Sequence, residues 1–77
     1  MPEDLQPLVT HDPAVCHGQA TIRGTRVTVS VVLDSLAAGM TAEEIITGYP
    51  ALTVEGIRAA IAYGADIARD EYPAVTG

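Results

Sequence analysis

The spacing of apolar positions along this chain changes character once, near residue 28. Before that point no helical period is visible. Short apolar pieces are framed by Asp12, Pro13, Gly18 and Gly24, all of them turn formers. Leu8–Thr10, Ala20–Arg23 and Arg26–Val27 read as extended segments, the last two folded about Gly24, and Val15-Cys16 as a small apolar plug between them. From Val29 onward apolar residues recur every three or four positions, as in helices that bury one face.

Three helices follow from that spacing. Val29, Val32, Leu33 and Leu36 fall at i, i+3, i+4 and i+7, which predicts a first helix from about Thr28 to Ala38. Its β-branched start lowers helix propensity and leaves a strand reading of the first turn open. Gly39 is the expected left-handed stop. Thr41, followed three residues later by Glu44, forms a capping box, and Met40 and Ile45 are placed as a hydrophobic staple. The second helix therefore starts at Thr41 and ends at Gly48-Tyr49-Pro50, because the residue before proline avoids the α region. Thr53 caps the third helix, with Leu52 stapled to Ile57. Gly56 stands where the box partner belongs, and Glu55 suits the positive end of the helix dipole. This helix runs to about Glu71, ahead of Pro73. Ile57, Ala60, Ile61, Gly64, Ala65 and Ala68 form one stripe, with Tyr63 and Ile67 to one side. The chain reads as mainly α, a trihelical body behind a short N-terminal β arm or hairpin. Residues 1–7 are expected to be flexible, 8–72 to form a single domain (β arm over 8–27, helices over 28–72), and 73–77 to be a disordered tail.

Composition narrows the picture. Seventy-seven residues without Phe or Trp must build a core from Ala, Val, Leu and Ile. A domain of this size buries only about 60% of the surface that its unfolded chain exposes. Small scaffolds commonly close the gap with disulfides, metal or oligomerisation. One cysteine, Cys16, makes no internal disulfide, so a homodimer is expected. The net charge is −6, and the four basic residues are all arginines. Few phosphates can be neutralised, so non-specific nucleic-acid affinity is low, whereas a basic partner would be matched. No apolar run approaches membrane-spanning length, and the acidic start, Met1–Val9, lacks the bases of a signal peptide. With one free cysteine, a cytoplasmic location is expected and a membrane role is not.

Candidate chemistry is sparse. Leu36 to Ile45 resembles the entry to a helix-turn-helix, whose last helix enters the major groove by its N-terminal residues. Thr53 and Arg58 are the residues there able to read a base edge, while Glu55 would repel phosphate; a scaffold that keeps the shape without the readout is the competing reading. Arg23 and Arg26 flank Gly24-Thr25 and offer two phosphate contacts or a structural tie, for Arg26 to Asp12 or to helix-end carbonyls. His11, Cys16 and His17, with Asp12, match no common zinc spacing, so no metal is expected. Cys16 and His17 are adjacent and in an extended segment point to opposite faces, so they form no nucleophile pair. No phosphate loop is present, and Glu43-Glu44 belong to a helix start. Neither an enzyme nor a cofactor is expected.

His11-Asp12-Pro13, Val15-Cys16, Gly18, Ile22-Arg23-Gly24-Thr25-Arg26-Val27, Leu36-Ala37-Ala38-Gly39-Met40, Glu44-Ile45, Tyr49-Pro50, Leu52-Thr53 and Ile57-Arg58-Ala59-Ala60 together resemble the "domain of unknown function 433" family over about residues 8–70. The family pattern often has Gly where His17 stands, Lys or Arg near Gln19, and Pro at the positions of Ala20 and Thr28. The resemblance implies a homeodomain-like helix-turn-helix fold with a β extension. It also implies an antitoxin role beside a PIN-like ribonuclease toxin, often with autorepression of the operon. On that reading Arg58 or Arg69 enters the carboxylate cluster of the nuclease, and Tyr63, Ile67 and Tyr72 are apolar anchors. A homodimer contact or a solvated face explains the same residues equally well. A stand-alone DNA-binding regulator, using Arg23, Arg26, Thr53 and Arg58, is the alternative.

Overall fold

The turn residues of the first third bring three extended segments side by side. The computed structural model describes residues 1–71. Strand β1 (Val9–Thr10) pairs antiparallel with β2 (Thr21–Ile22), Val9 opposite Ile22 and Thr10 opposite Thr21. On its other side β2 meets the returning chain. The Ile22 N–H donates to the Val27 carbonyl at 3.0 Å, and a single antiparallel bridge joins Thr21 to Thr28. Gly24, at φ +79°, occupies the third position of the turn closed by the Thr25 N–H on the Ile22 carbonyl, which is a type II arrangement. The Thr25 hydroxyl donates to the same carbonyl at 2.7 Å and accepts from the Val27 N–H at 3.0 Å, bracing the turn from inside.

Helix α1 (Val29–Ala37) starts where its cap dictates. The Thr28 hydroxyl accepts from the Val31 N–H, so the β-branched first turn is helical and not a strand. Gly39, at φ +93°, lets the chain reverse. Its N–H reaches the Leu36 carbonyl and that of Met40 the Ser35 carbonyl, the paired bonds of a Schellman stop. Helix α2 (Ala42–Gly48) carries the complete capping box between Thr41 and Glu44. Helix α3 (Val54–Glu71) is capped by the Thr53 hydroxyl, which accepts from the Gly56 N–H at 3.0 Å.

The core sits where α1 and α2 cross the N-terminal half of α3 beneath the strands. It comprises Ile22, Val27, Val29, Val32, Ile45, Leu52, Ile57 and Ala60. A side chain at Gly56 would place its Cβ 2.9 Å from Ile22 Cγ2, so close packing of the hairpin on α3 explains the glycine that interrupts the second capping box. Among the described residues the fold is thus mainly helical, three α-helices with a two-stranded antiparallel arm.

The first seven residues, expected to be flexible, make packing contacts: Leu5 is buried, a 3-10 turn over Gln6–Leu8 packs on α3, and the Met1 ammonium lies 3.0 Å from Asp66. The prolines on either side hid one large apolar side chain that the overhanging α3 could cover. The stripe on α3 is also rotated. Ile57 and Ala60 are buried, but Ile61, Ala65 and Ala68 are exposed, and Gly56, Ala59 and the half-buried Tyr63 and Gly64 complete the inward face. Alanines on both sides of the helix blur its periodicity. Nine residues of α1 also span about half the length of an eighteen-residue helix, so the second half of α3 overhangs the body. Tyr72 and residues 73–77 lie outside the described residues.

Candidate functional site

The overhang of α3 creates a groove. Its floor and walls come from Ala20, Val29 and Leu33 on one side and from Tyr63, Gly64 and Ile67 on the other, enclosing about 560 Å³ that opens to solvent. Gly64 is where α1 approaches closest, since a Cβ there would meet Leu33 Cδ1 at 2.9 Å. The lining is largely apolar, with Gln19 and Ser30 as polar edges. Ile67 is half-exposed within it. Tyr63 is oriented from outside: its phenolic oxygen lies 3.1 Å from His11 Nε2, and the two rings sit 5.9 Å apart at a tilt of 48°. The β arm therefore positions a groove-lining aromatic ring through a residue fifty-two positions away.

The candidate residues divide between surfaces. About 100° separates successive residues around a helix, so Arg58 and Arg69 lie within about 20° of one another, whereas Ile67 lies about half a turn from Arg58. Tyr63 and Ile67 face the groove; Arg58 and Arg69 face away from it, and all but Tyr63 are exposed. The expected partner-binding set is thus not one patch, and Tyr72 lies outside the described residues. Arg69 pairs with Asp66, one turn earlier on α3. The hydrogen bond from the Met1 ammonium, aided by its charge and by Arg69, holds the Asp66 carboxyl below the usual carboxylate range against a smaller opposing effect of burial.

The DNA-binding set is divided as well. Arg23 and Arg26 are exposed on the hairpin, and among the described residues neither makes an ion pair. The hairpin packs on the Gly56 side of α3, while Arg58 projects from the opposite side. The Thr53 hydroxyl is held by its cap, and the exposed Glu55 sits beside it. Nor do His11, Cys16 and His17 converge. His11 turns to Tyr63, the Cys16 thiol donates to the Arg26 carbonyl at 3.4 Å, and His17 is exposed.

Those features can be set beside known proteins. A model of the family described as a protein of unknown function (DUF433) matches residues 9–64. The chain belongs to the DUF433 family. A curated relative, the uncharacterized protein y4eO of Sinorhizobium fredii, is 41% identical over 56 residues, which are 73% of this chain and 25% of that protein. The chain therefore spans about a quarter of that relative's length. A crystal structure of a DUF433 member from Anabaena variabilis superposes with a TM-score of 0.68 at 30% identity, covering 95% of this chain and 78% of that one. The matched region contains the hairpin, all the helix caps and Tyr63, and ends before Ile67 and Arg69.

Sequence reasoning found Tyr63 and Ile67 but not the far wall of the groove, Gln19, Ala20, Ser30 and Leu33. Leu33 was assigned to the core face and is half-buried at its edge. The available signal was length: a third helix twice as long as the first must leave part of its inward face uncovered.

Proposed function

We propose that this DUF433 chain is a non-catalytic binding protein, a cytoplasmic antitoxin that docks on a basic ribonuclease partner of the PIN-like type through the α3 groove. The observation that carries the reading is the pairing of an apolar groove, holding a braced Tyr63 and a half-exposed Ile67, with a body of net charge −6. Tyr is a common anchor at interface centres, and complementary charge accelerates encounter with a basic partner. The family resemblance supplies the ribonuclease; the groove supplies the contact. Arg58 and Arg69, on the other side of α3, are not anchors in this arrangement.

Growth rescue against a co-transcribed nuclease tests it, with affinity measured on the purified pair. Tyr63→Ala and Ile67→Asp are expected to weaken binding at least tenfold and to lose rescue, while Arg58→Ala and Arg69→Ala rescue normally. A nuclease equally inhibited by the Tyr63 and Ile67 variants, or unaffected by the wild-type chain, would sink the proposal. The regulator alternative predicts a mobility shift on the chain's own upstream DNA that survives about 0.2 M salt. The divided arginines and the acidic surface favour its loss there.

A further inference from the structure

The outer face of α3, opposite the core, is apolar. Val54 and Ile61 are 53% and 48% exposed, Ala65 and Ala68 are exposed, and Arg58 alone interrupts them. The five positions are separated by four, three, four and three residues, the spacing of a coiled-coil seam. Their run from Val54 to Ala68 is about 21 Å long. A surface helix with one buried face ordinarily turns polar residues to water; α3 does so with Glu55, Arg58, Arg69 and Asp70 but sets an exposed apolar row beside them.

The flank of that seam carries Glu55, Ala62 and Arg69, each seven residues from the next. Their order is self-complementary when reversed. Place a second copy of the helix antiparallel across a twofold axis at Ala62, and Glu55 meets Arg69 of the second copy. The reciprocal pair forms on the other side of the axis. In the same register Arg58 comes level with Asp66 of the second copy, whose carboxyl already holds the Met1 ammonium, and Arg69 exchanges its pairing with Asp66 for one with Glu55 across the axis. A parallel pairing would instead set Glu55 against Glu55 and Arg69 against Arg69. The alanines at 62 and 65, beside the axis, allow the backbones to approach closely. We infer that α3 is a self-association surface, joining two copies of this chain antiparallel through Val54, Ile61, Ala65 and Ala68, with reciprocal Glu55–Arg69 ion pairs setting the register. A twofold contact of this kind is isologous and closed, so it stops at a dimer. Val54, Ile61 and Ala65 lie outside the groove lining, and Ala68 stands at the edge the two surfaces share, so Tyr63 and Ile67 stay accessible in the dimer.

The test is sedimentation of the full chain at micromolar to 100 µM concentration, with circular dichroism as a check on folding. The wild type is expected to sediment as a dimer. Ile61→Asp, at an exposed site, is expected to weaken association at least tenfold with the helical signal intact. Glu55→Arg leaves only positive charges on the flank at 55 and 69, and Arg69→Glu only negative ones. Each variant alone should dissociate at least tenfold more readily than the wild type, and an equimolar mixture of the two should recover a heterodimer. A monomeric wild type at 100 µM would overturn the inference. So would a dimer unmoved by Ile61→Asp, or charge variants that fail to associate when mixed.

Discussion

At the scale of single residues, backbone handedness makes the sharpest predictions. Cys16, His17 and Gly18 occupy the left-handed region in succession, with φ of +51°, +57° and +79°. Only the last is a residue that adopts it without strain, and a left-handed L-residue costs roughly 1–2 kcal/mol. A glycine at position 17 removes such a cost. His17→Gly is therefore expected to stabilise the fold by about 1 kcal/mol, after allowing for the greater freedom of glycine in the unfolded chain. Gly39→Ala, at φ +93° in the Schellman stop, is expected to destabilise by about 1–2 kcal/mol. Urea midpoints at constant slope would show the opposite signs. Asp66 yields a pH prediction. Its carboxyl is held below its ordinary pKa by the Met1 ammonium and Arg69, so folding favours the ionised form. Its contribution is complete above about pH 4, the unfolded value, and is lost as pH falls through the depressed folded value. The stability gap between wild type and Asp66→Asn should be constant from pH 7 to about 5 and close below 4.

At the scale of elements, capping chemistry was legible and close approach was not. Thr41, Thr53 and Gly39 act at the helix ends where local sequence places them, because a cap is satisfied by atoms three or four residues away. Extended segments around Gly24 were legible for the same reason. What local pattern could not supply was which side of α3 faces inward. Gly56 and Gly64 look like flaws in a helix, yet one admits Ile22 and the other admits Leu33. Those partners lie more than thirty residues away, and nothing local announces them. The same blindness put Ile61 in the core and left Leu5 outside it. The two glycines should respond differently. Gly56→Ala gains up to about 1 kcal/mol in helix propensity but drives a methyl against the branched, buried Ile22. The net effect should be a loss of about 1–3 kcal/mol, the usual range for overpacking. Gly64→Ala meets the flexible end of the half-buried Leu33, so thermal stability should hold or rise while the groove narrows. Equal losses at both positions would mean that the contact at Gly64 is as rigid as the one at Gly56.

At the scale of the whole molecule, the length of α3 decides what the chain can do. A helix no longer than α1 would be covered on its inward face and would leave neither a groove nor an extended outer seam. Eighteen residues provide both, on different faces of one rod that meet at Ala68. Inward, Tyr63 and Ile67 meet the apolar wall of α1; outward, Val54 and Ile61 meet water. Because the two surfaces share only the small side chain of Ala68, at their common edge, substitutions at Tyr63 and Ile61 should be nearly additive, as for sites without common partners. Tyr63→Ala is expected to weaken capture of a nuclease and leave the sedimentation of the free chain unchanged. Ile61→Asp is expected to do the reverse to first order, with one coupled effect. A dimer presents two grooves, so breaking it removes avidity on a surface that carries many nuclease copies, and apparent affinity for an immobilised nuclease should fall while affinity in dilute solution is kept. A double variant whose losses equal the product of the single ones would fix α3 as two independent interfaces. A double variant no worse than either single one would instead mean that both substitutions disrupt a single surface.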